Sequence, residues 1–377
     1  MLRAAAACAL AAWAGWSHAA ADGVTAQQVL VGQSITLQGG KNAYGSAVMD
    51  GVRTYLDKIN AQGGVHGRQV VLRTLDDENQ AAKAEANARQ LVEKDRVFVL
   101  FGSIEGGPST AVMRVAVSHK VPFIGPMAGS PTLREPHQPM VFPVRAEHKE
   151  EFRALLEYAK LTGIQRVGFM RADSETGQQH LKNVQALCQQ LGLQLTADLP
   201  FKSDVSDEQI AALAKRIGST QTQLVFNHGG IGVYEKLIRQ ARQQGVPVQF
   251  TAVNSGATQL AASLGALAHG MVVAQVMPSP WERKTSIARE YQDAFKRQHP
   301  GKPFSYGSLE GYLTAKALVE ALRLAGPQPT RESLVAGIEK AGSLDLSGLG
   351  NVYRPGQHQG MQMIDLSIVS REGRFMH

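Results

Sequence analysis

The chain has 377 residues, enough for two domains, and 44% of them are hydrophobic while 19% are charged, which is an ordinary composition for globular domains with conventional cores. Its formal net charge is +7, but the basic residues are scattered along predicted helices, so the charge predicts a solvated surface. Nucleic acid is therefore excluded as an expected partner, because no basic stripe interleaved with aromatic residues occurs; attraction to anionic lipid headgroups or an acidic partner is a minor alternative.

The first 21 residues have the pattern of a secretory signal peptide. Arg3 is followed by the apolar run AAAACALAAWAGW and by the small residues SHAAA, and the run is too short to span a bilayer. We expect cleavage after Ala19 to Ala21 and export to the periplasm. A lipoprotein anchor at Cys8 is the weaker alternative, because Cys8 lies inside the apolar run.

Cys188 would then be the only cysteine of the mature chain, so an intramolecular disulfide is excluded. Its helical neighbours Val184, Leu187 and Leu191 favour a buried structural thiol over a reactive one.

Strand and helix patterns alternate along the mature chain. Short segments rich in β-branched residues are separated by segments with helical periodicity, and the strand candidates are QVLVGQSI, RQVVLRTLDD, VFVLF, VPFI, RVGFMR, LQLTADL, QLVFN, VQFTAV and MVVAQV. The loop LQGGKNAYGS separates the first strand from a helix predicted to start at Ala47. This alternation predicts an α/β fold with parallel sheets covered by helices on both faces.

Two extended segments, VFPVRA and QVMPSPW, interrupt the alternation. They predict two similar α/β lobes, with the chain crossing at about Pro143, at about Pro278 and a third time near Gly356. Lobe 1 is then predicted to comprise 22–144 and 277–358, and lobe 2 to comprise 145–276 and 359–377. The region after Trp281 is predicted to be mostly helical, with a cap at Thr330 to Ser333 and a final strand and turn.

Two Gly-rich loops follow consecutive strands in the first lobe. They run from Gly102 to Pro108 and from Gly125 to Pro131, and they should lie side by side because successive strands of a parallel sheet end at the same edge. Ser103, Ser109 and Ser130 offer hydroxyls, and a helix start at Pro108/Ser109 would favour an anion. A small polar or carboxylate-bearing ligand is the hypothesis; ordinary turns are the alternative.

Asp76, Asp77 and Glu78 form an acidic run at the end of a predicted strand. A metal site is one interpretation. Capping of the following helix is favoured, because acidic side chains complement a helix N-terminus.

Known catalytic motifs do not occur in the sequence. We find no G-x-S-x-G, P-loop, H-E-x-x-H or C-x-x-C motif, and the 11 histidines form no i, i+4 pair. We interpret His148, His180 and His299 as surface groups. A binding protein without cofactor or metal is therefore favoured over an enzyme.

The mature chain resembles the type I periplasmic solute-binding proteins of the leucine/isoleucine/valine-binding group, which serve ABC importers. The segment from Val31 to Asp76, which contains YGSAVMDGVRTYLDKINAQGGVHGR, resembles the opening of these proteins. The resemblance covers the mature chain essentially end to end and includes the following strings: FGSIEGGPST, GPMAGSPTLREP, VFPVRAEHKEE, LIRQARQQG, VVAQVMPSPW and SLEGYLTAKALVEALRLAG. It implies two Rossmann-like lobes joined by a three-crossover hinge, with the ligand between them and its carboxylate on backbone N–H groups and hydroxyls of lobe 1.

The resemblance also implies a set of ligand-binding residues. Lobe 1 should contribute the loop after its first strand and the two Gly-rich loops, and lobe 2 the ends of three strands; the residues are Tyr44, Ser103, Glu105, Gly106, Gly107, Ala128, Gly129, Ser130, Thr176, Gly230 and Asn254. Gln275, Tyr306 and Glu310 are weaker candidates for which structural roles are favoured.

Three positions depart from the amino-acid-binding relatives. Those relatives have aromatic residues at the positions of Thr176 and near Gly230, and an acid at the position of Asn254. An asparagine cannot neutralise a ligand ammonium, and a buried ammonium without a partner is costly. Glu105 is a candidate replacement if it points inward, although a solvated loop acid is the favoured interpretation. A bulkier ligand, such as an aromatic carboxylate or a derivatised amino acid, is the resulting hypothesis.

The predicted function is capture of a small carboxylate-bearing solute in the cleft and delivery to the membrane subunits of an ABC importer, by a protein expected to be a monomer. A ligand sensor for a membrane receptor with the same fold is the first alternative. An exported hydrolase and a structural interaction protein are weaker ones.

Overall fold

The computed structural model describes residues 21–37, 43–202 and 204–377. The predicted signal peptide, apart from its last residue, and residues 38–42 of the loop LQGGKNAYGS lie outside this part. In the described part, no helix is both long and apolar enough to cross a membrane.

The first sheet has five parallel strands in the order β2-β1-β3-β4-β5. The strands are β1 (Gln28–Ile35), β2 (Gln69–Asp76), β3 (Val99–Phe101), β4 (Phe123–Ile124) and β5 (Val141–Phe142). Between them lie α1 (Ala43–Ala61), α2 (Ala81–Arg89), a π-helical turn (Gln90–Lys94) and α3 (Gly106–Ser118). The order places the ends of β3 and β4 side by side, which is the arrangement that the two Gly-rich loops require.

The second sheet has seven strands in the order β14-β13-β10-β9-β8-β6-β7. The parallel strands are β6 (Arg166–Ala172), β7 (Gln194–Phe201), β8 (Leu224–His228), β9 (Gln249–Ala252) and β10 (Val272–Gln275). Their helices are α4 (His148–Leu161), α5 (Glu175–Leu191), α6 (Asp207–Ser219), α7 (Ile231–Gln243) and α8 (Ala257–Leu264). The last two strands, β13 (Asp365–Val369) and β14 (Phe375–Met376), pair antiparallel at one edge.

The region after Trp281 is mostly helical, as predicted. It contains α9 (Ser286–Gln298), α10 (Tyr306–Leu324) and α11 (Arg331–Ala341), and Thr330 and Ser333 form the capping box of α11. A hairpin of β11 (Asn351–Arg354) and β12 (Gln357–Met361) follows, which the sequence analysis did not predict.

This hairpin packs on the first lobe. The Tyr353 hydroxyl donates to the Pro143 carbonyl at 2.8 Å, and the Met361 N–H donates to the Val144 carbonyl at 2.8 Å. Because Gly356 lies between the two strands of the hairpin and the second sheet resumes at Asp365, we place the third crossing between Met361 and Asp365. The two-lobe α/β fold with parallel sheets that the alternation predicted is confirmed.

The acidic run does not cap a helix, so that prediction was wrong. Helix α2 begins at Ala81 after Gln80, which makes no side-chain cap. The buried Asp77 carboxylate instead accepts from the Thr36 hydroxyl at 2.6 Å and from the Ser34 hydroxyl at 3.2 Å. It therefore fixes the end of β1, where the chain leaves the sheet.

Cys188 is buried and unpaired, as predicted. Burial raises the pKa of its thiol to about 11, so the thiolate is disfavoured at neutral pH.

Helices α1 and α10 touch through glycines. A Cβ atom on Gly51 would lie 1.8 Å from the Ser308 carbonyl oxygen, and one on Gly311 would lie 2.0 Å from the Val48 carbonyl oxygen. Only hydrogen atoms fit between the two backbones at these points. The close approach fixes α10 against lobe 1.

We therefore expect Gly51→Ala to lower the free energy of unfolding by about 1 to 3 kcal/mol, because the helices must separate. Gly232→Ala is the matched control: Gly232 is also helical, nothing lies within 4 Å of its Cβ position, and alanine should be neutral or stabilising there. Urea unfolding measures both. Equal stabilities of the two variants would contradict the close packing.

Candidate functional site

The two Gly-rich loops of lobe 1 lie side by side, which confirms that part of the prediction. The Met127 N–H donates to the Ser103 carbonyl at 2.7 Å, and the hydroxyls of Thr110 and Thr132 lie 2.7 Å apart. Ser103 and Ser130 are fully buried. Their hydroxyls bond within the loops, Ser103 to Ser109 at 2.6 Å and Ser130 to Thr132 at 2.8 Å.

Helix α3 begins at Gly106, two residues before the predicted start at Pro108/Ser109. Glu105 is its N-cap residue with φ +64° and gives no side-chain cap. Gly106 and Gly107 are therefore the first helical residues, where backbone N–H groups have no partner inside the helix. The anion-binding character of the loop stays a prediction.

The two lobes touch at these loops. A Cβ on Gly106 would lie 3.0 Å from Thr176 Cγ2 at the start of α5, and one on Gly229 would lie 3.5 Å from Glu105 Oε2. Arg114 of α3 forms an exposed ion pair with Glu175 of α5 at 3.3 Å. The structure therefore shows the lobes in contact, with Thr176 against lobe 1.

The space beside two of the predicted glycines is filled by rings. A Cβ on Gly230 would lie 2.1 Å from the Phe201 ring, and one on Gly129 would lie 2.7 Å from the His148 ring. The hypothesis of a bulkier ligand depends on the lack of an aromatic residue near Gly230. Phe201, at the end of β7, supplies an aromatic ring from another strand.

A buried charge cluster lies where the chain first crosses between lobes; we call Arg145, Glu151 and Glu310 the crossing cluster. Arg145 Nη2 lies 2.6 Å from Glu151 Oε2, and Arg145 Nη1 lies 3.6 Å from Glu310 Oε1. All three side chains are at most 1% exposed. Glu151 is on α4 and Glu310 is on α10, so the cluster joins the two lobes through Arg145.

Tyr44 and Asn254, two of the predicted site residues, bind the crossing cluster. The Tyr44 hydroxyl donates to Glu310 Oε2 at 2.5 Å, and the Asn254 side-chain amide donates to the same oxygen at 3.4 Å. The Asn254 backbone N–H donates to Glu151 Oε1 at 2.7 Å. The sequence favours a structural role for Glu310, whereas the structure places it in contact with two site candidates.

The carboxyl groups of the crossing cluster are in different electrostatic states. Burial raises the pKa of Glu310, and Arg145 opposes that effect only in part. Burial acts on Glu151 as well, but Arg145 and His148 together hold the pKa of Glu151 below its usual value. Glu151 is therefore a firm anion, and Glu310 protonates more readily.

Gln275 and Tyr306 lie away from these contacts. The Gln275 side-chain amide donates to Ser367 Oγ at 2.8 Å between β10 and β13, and the Tyr306 hydroxyl lies 2.9 Å from His377 Nε2. Both tie the end of the chain to its neighbours, which agrees with the structural roles favoured for them. The structure does not bring Gln275 to the other site candidates by any contact that it describes.

Three histidines form a buried cluster, so the interpretation of His148 and His180 as surface groups was wrong; His299 is half-buried. The ring centroids of His148, His180 and His228 lie 3.9 to 5.4 Å apart. His148 Nδ1 lies 2.6 Å from Glu151 Oε2. Burial lowers the pKa of all three.

We expect this histidine cluster to make stability depend on pH. A histidine whose folded pKa is lowered stabilises the fold above its unfolded pKa, near 6.5, and that stability is lost as the pH falls toward the folded pKa. Each such histidine adds a slope of about 1.4 kcal/mol per pH unit below about pH 6.5. Besides burial, the charged or titratable groups that lower the pKa of His180 are His228, His148 and Arg134. Each of them disfavours protonation of the His180 ring.

We expect His180→Phe to reduce that slope by about one histidine's share, roughly 1.4 kcal/mol per pH unit between about pH 5 and pH 6.5. Phenylalanine keeps the ring contact with Phe152, whose centroid lies 5.3 Å away. His269→Phe, at an exposed position, is the control. Urea unfolding at several pH values measures the slopes, and an unchanged slope in His180→Phe would contradict a neutral buried ring.

Several buried polar atoms of this region have no hydrogen-bond partner. They are Asn254 Oδ1, Glu310 Oε1, His228 Nδ1 and both ring nitrogens of His180. Buried polar atoms are normally paired, so each requires an explanation. Asn254 and Glu310 lie where the lobes meet, because their side chains contact each other across the boundary.

A cavity of about 640 Å³ lies on another part of the lobe boundary. It is lined by α1, α8, the segment before α10 and the chain end, and its aromatic residues are Trp281, Phe295, Phe304 and Phe375. None of the twelve predicted ligand-binding residues lines it. Among the described residues, no group of three or more His, Cys, Asp or Glu side chains is arranged to hold a metal ion.

Comparisons with known proteins agree with this architecture. A family model described as "Periplasmic binding protein" matches residues 28–373. Leu/Ile/Val-binding protein homolog 7 of Brucella abortus (strain 2308) is 23% identical over 288 residues, which cover 72% of this chain and 71% of that protein.

Two solved structures are also similar. A possible leucine/isoleucine/valine-binding protein from Rhodopirellula baltica SH 1 has a TM-score of 0.85 at 26% identity, over 93% of this chain and 97% of that chain. A branched chain amino acid ABC transporter structure from Thermus thermophilus with bound valine has a TM-score of 0.82 at 20% identity, over 94% and 96% of the two chains.

The chain belongs to the periplasmic binding protein family and, within it, to the type I proteins that resemble the leucine/isoleucine/valine-binding protein. Members of this family bind solutes, and their fold is not an enzymatic one. The name of the family implies a periplasmic location.

Proposed function

We propose that this protein is exported by its N-terminal signal peptide and captures a small carboxylate-bearing solute between its lobes for delivery to an ABC importer. An amino acid, an amino-acid derivative or an aromatic acid is the proposed ligand class. The observation that carries the proposal is the contact of polar loops from both lobes, together with the buried, unpartnered oxygen atoms of Asn254 and Glu310 where the lobes also meet. The similar structure from Thermus thermophilus supports the same assignment, because it is described as a branched chain amino acid ABC transporter with bound valine.

The proposed site combines the two Gly-rich loops of lobe 1 with strand ends of lobe 2. Backbone and hydroxyl groups of lobe 1 hold the carboxylate, and they come from Ser103, Glu105, Gly106, Gly107, Ala128, Gly129 and Ser130. The rest of the solute is surrounded by Tyr44, Thr176, Gly230 and Asn254. Gln275 has its partner in Ser367, so it is the weakest member. The lobes of this proposal are 22–144 with 277–361, and 145–276 with 365–377.

Closure of the lobes on the solute would report loading to the importer. A ligand shifts such an equilibrium only by its difference in affinity for the open and closed states. Contacts from both lobes, such as Thr176 with Gly106, exist only when the lobes meet. The importer would therefore recognise a closed, loaded protein.

A thermal-shift screen of the mature protein against amino acids, amino-acid derivatives and aromatic acids tests the proposal. A ligand present at 100 times its Kd should stabilise the protein by about 2.7 kcal/mol. Uptake of that same solute by cells with and without the gene then tests delivery. A panel without any saturable binder, or uptake that does not change when the gene is deleted, would contradict the proposal.

A further inference from the structure

The cavity of about 640 Å³ at the lobe boundary is separate from the proposed solute site; we call it the aromatic cavity, after Trp281, Phe295, Phe304 and Phe375 in its wall. Its volume lies in the range of pockets that hold small molecules, about 300 to 1,000 Å³. Its wall combines α1 and the segment before α10 from lobe 1 with α8 and the chain end from lobe 2. None of the twelve residues proposed to bind the solute lies in this wall. A molecule in the aromatic cavity would therefore contact both lobes without entering the solute site.

The apolar part of the wall consists of aromatic rings. Trp281 stacks on Phe375, with ring centroids 5.4 Å apart and ring planes 7° apart. The ring centroids of Phe295 and Phe304 lie 6.0 Å apart. Trp281 is 38% exposed, so its ring is open to a ligand. This wall favours a flat aromatic molecule, because rings attract one another in stacked and edge-to-face contacts.

Most charged groups of the wall already have partners. The Lys302 ammonium pairs with the Asp50 carboxylate. The Glu372 carboxylate accepts from the Ser370 hydroxyl at 2.9 Å and has Arg374 as a nearby positive charge. These groups therefore do not need a ligand to balance their charge.

Three other polar groups of the wall have no partner among the residues that the structure describes. Arg371 forms no ion pair and no side-chain hydrogen bond there, and the indole N–H of Trp281 has no acceptor. The side-chain oxygen of Gln259 is buried and has no donor. A carboxylate matches the two N–H donors, one of which is charged, and a hydroxyl or N–H group of a ligand matches the Gln259 oxygen.

We propose that the aromatic cavity is a second small-molecule site, which takes an aromatic carboxylate that also carries a hydroxyl or N–H group. The rings hold the aromatic body. Arg371 and the Trp281 N–H bind the carboxylate, and the Gln259 oxygen accepts from the hydroxyl or N–H group. The inference goes beyond the proposed function, because solute capture uses none of these residues.

Trp281 is the reporter for the test, since it is the only tryptophan of the mature protein; Trp13 and Trp16 lie in the predicted signal peptide. The mature protein is titrated with 4-hydroxyphenylacetate, which has the ring, the carboxylate and the hydroxyl. Excitation at the red edge of tryptophan absorption avoids the phenol of the probe. We expect a saturable shift of the Trp281 emission to shorter wavelength, because the probe displaces water from the indole.

Two variants test whether the probe lies in the aromatic cavity. Ala262→Phe, at an exposed position of α8 in the cavity wall, introduces a ring there and should weaken binding at least about 10-fold. Ser263→Phe adds the same ring at an exposed position of the same helix outside the wall, and it should bind as the wild type does. Arg371→Gln should weaken binding about 2- to 5-fold, as expected for an exposed ion pair. Arg374→Gln, in the same chain end but outside the wall, is its control.

The neutral amide 4-hydroxyphenylacetamide tests the role of Arg371. The amide should bind the wild type about as weakly as the acid binds Arg371→Gln. The variant should not weaken the amide further, because the ion pair is already absent. An equal loss of acid and amide in Arg371→Gln would contradict the assignment of Arg371 to the carboxylate.

The remaining outcomes decide whether the site exists. Trp281 emission that shows no saturable change with the acid would overturn the inference. Binding of the acid that Ala262→Phe and Arg371→Gln both leave intact would place the probe elsewhere and overturn it as well. Neither result bears on the proposed function, which the thermal-shift screen and the uptake measurement test separately.

Discussion

Replacing Arg145 by methionine is expected to lower the free energy of unfolding by about 3 to 5 kcal/mol, because it leaves two buried carboxylates without their shared cation. Glu151 and Glu310 are at most 1% exposed, so water cannot replace the guanidinium. The Arg145 side chain also donates to Ser255 Oγ and to the Ala146 carbonyl, and those bonds are lost as well. Urea unfolding at pH 7 measures the effect.

Arg153→Met is the matched control. Arg153 pairs with Glu150 at 3.2 Å, but both side chains are more than one third exposed, and a surface pair of this kind contributes about 0 to 1 kcal/mol. The double variant Arg145→Met/Glu310→Gln should recover part of the loss, because one uncompensated charge is then removed. A cost for Arg145→Met as small as that for Arg153→Met would show that the crossing cluster does not hold the lobes together.

Replacing Thr176 by tryptophan is expected to abolish ligand binding while leaving both lobes folded. The Thr176 methyl group already lies 3.0 Å from the Cβ position of Gly106, so an indole cannot fit when the lobes meet. We expect the lobes to separate in this variant, so that the tryptophan extends from the first turn of α5 into the cleft. The free energy of unfolding without ligand should therefore change by less than about 1 kcal/mol.

Small-angle X-ray scattering checks the mechanism of this effect. Thr176→Trp should keep a larger radius of gyration than the wild type at saturating solute, and the thermal shift of the wild type should be lost. Thr176→Ser, which removes only the methyl group at the contact, should bind and close normally. Wild-type closure by Thr176→Trp would mean that the lobes do not meet at this position.

The sequence was sufficient to predict the architecture because its signals are local. β-branched segments alternate with amphipathic ones, and this periodicity alone predicts parallel sheets covered by helices. The neighbouring positions of the loops after β3 and β4 follow from the handedness of the crossover. The hairpin of β11 and β12 was missed because its strands are short and polar and have no strong alternation.

The crossing cluster could not be predicted in the same way. Glu310 lies far in sequence from Arg145 and Glu151, and charged residues are ordinarily assigned to surfaces. The available signal was weak: Arg145 and Glu151 occur at a predicted crossing, and Glu310 is a charged residue in the mostly apolar first half of α10. The histidine cluster was missed for the same reason, because its members come from two helices and one strand end that are distant in sequence: α4, α5 and the end of β8.

The start of α3 shows a further limit of sequence patterns. Gly106 and Gly107 have poor helix propensity, so the prediction placed the start at Pro108/Ser109. In the structure, both glycines are already helical, since the loop packing against Met127 and the second lobe sets the backbone. Local propensity was overridden by tertiary contacts where the proposed ligand site lies.

The central claim is that the two lobes hold one solute between them, and calorimetric titration of the wild type and Thr176→Trp with the same amino-acid probes tests it most directly. We predict saturable binding of one molecule per wild-type chain and no binding to Thr176→Trp. Equal affinity of the two proteins for the same probe would place the binding site elsewhere and contradict the account.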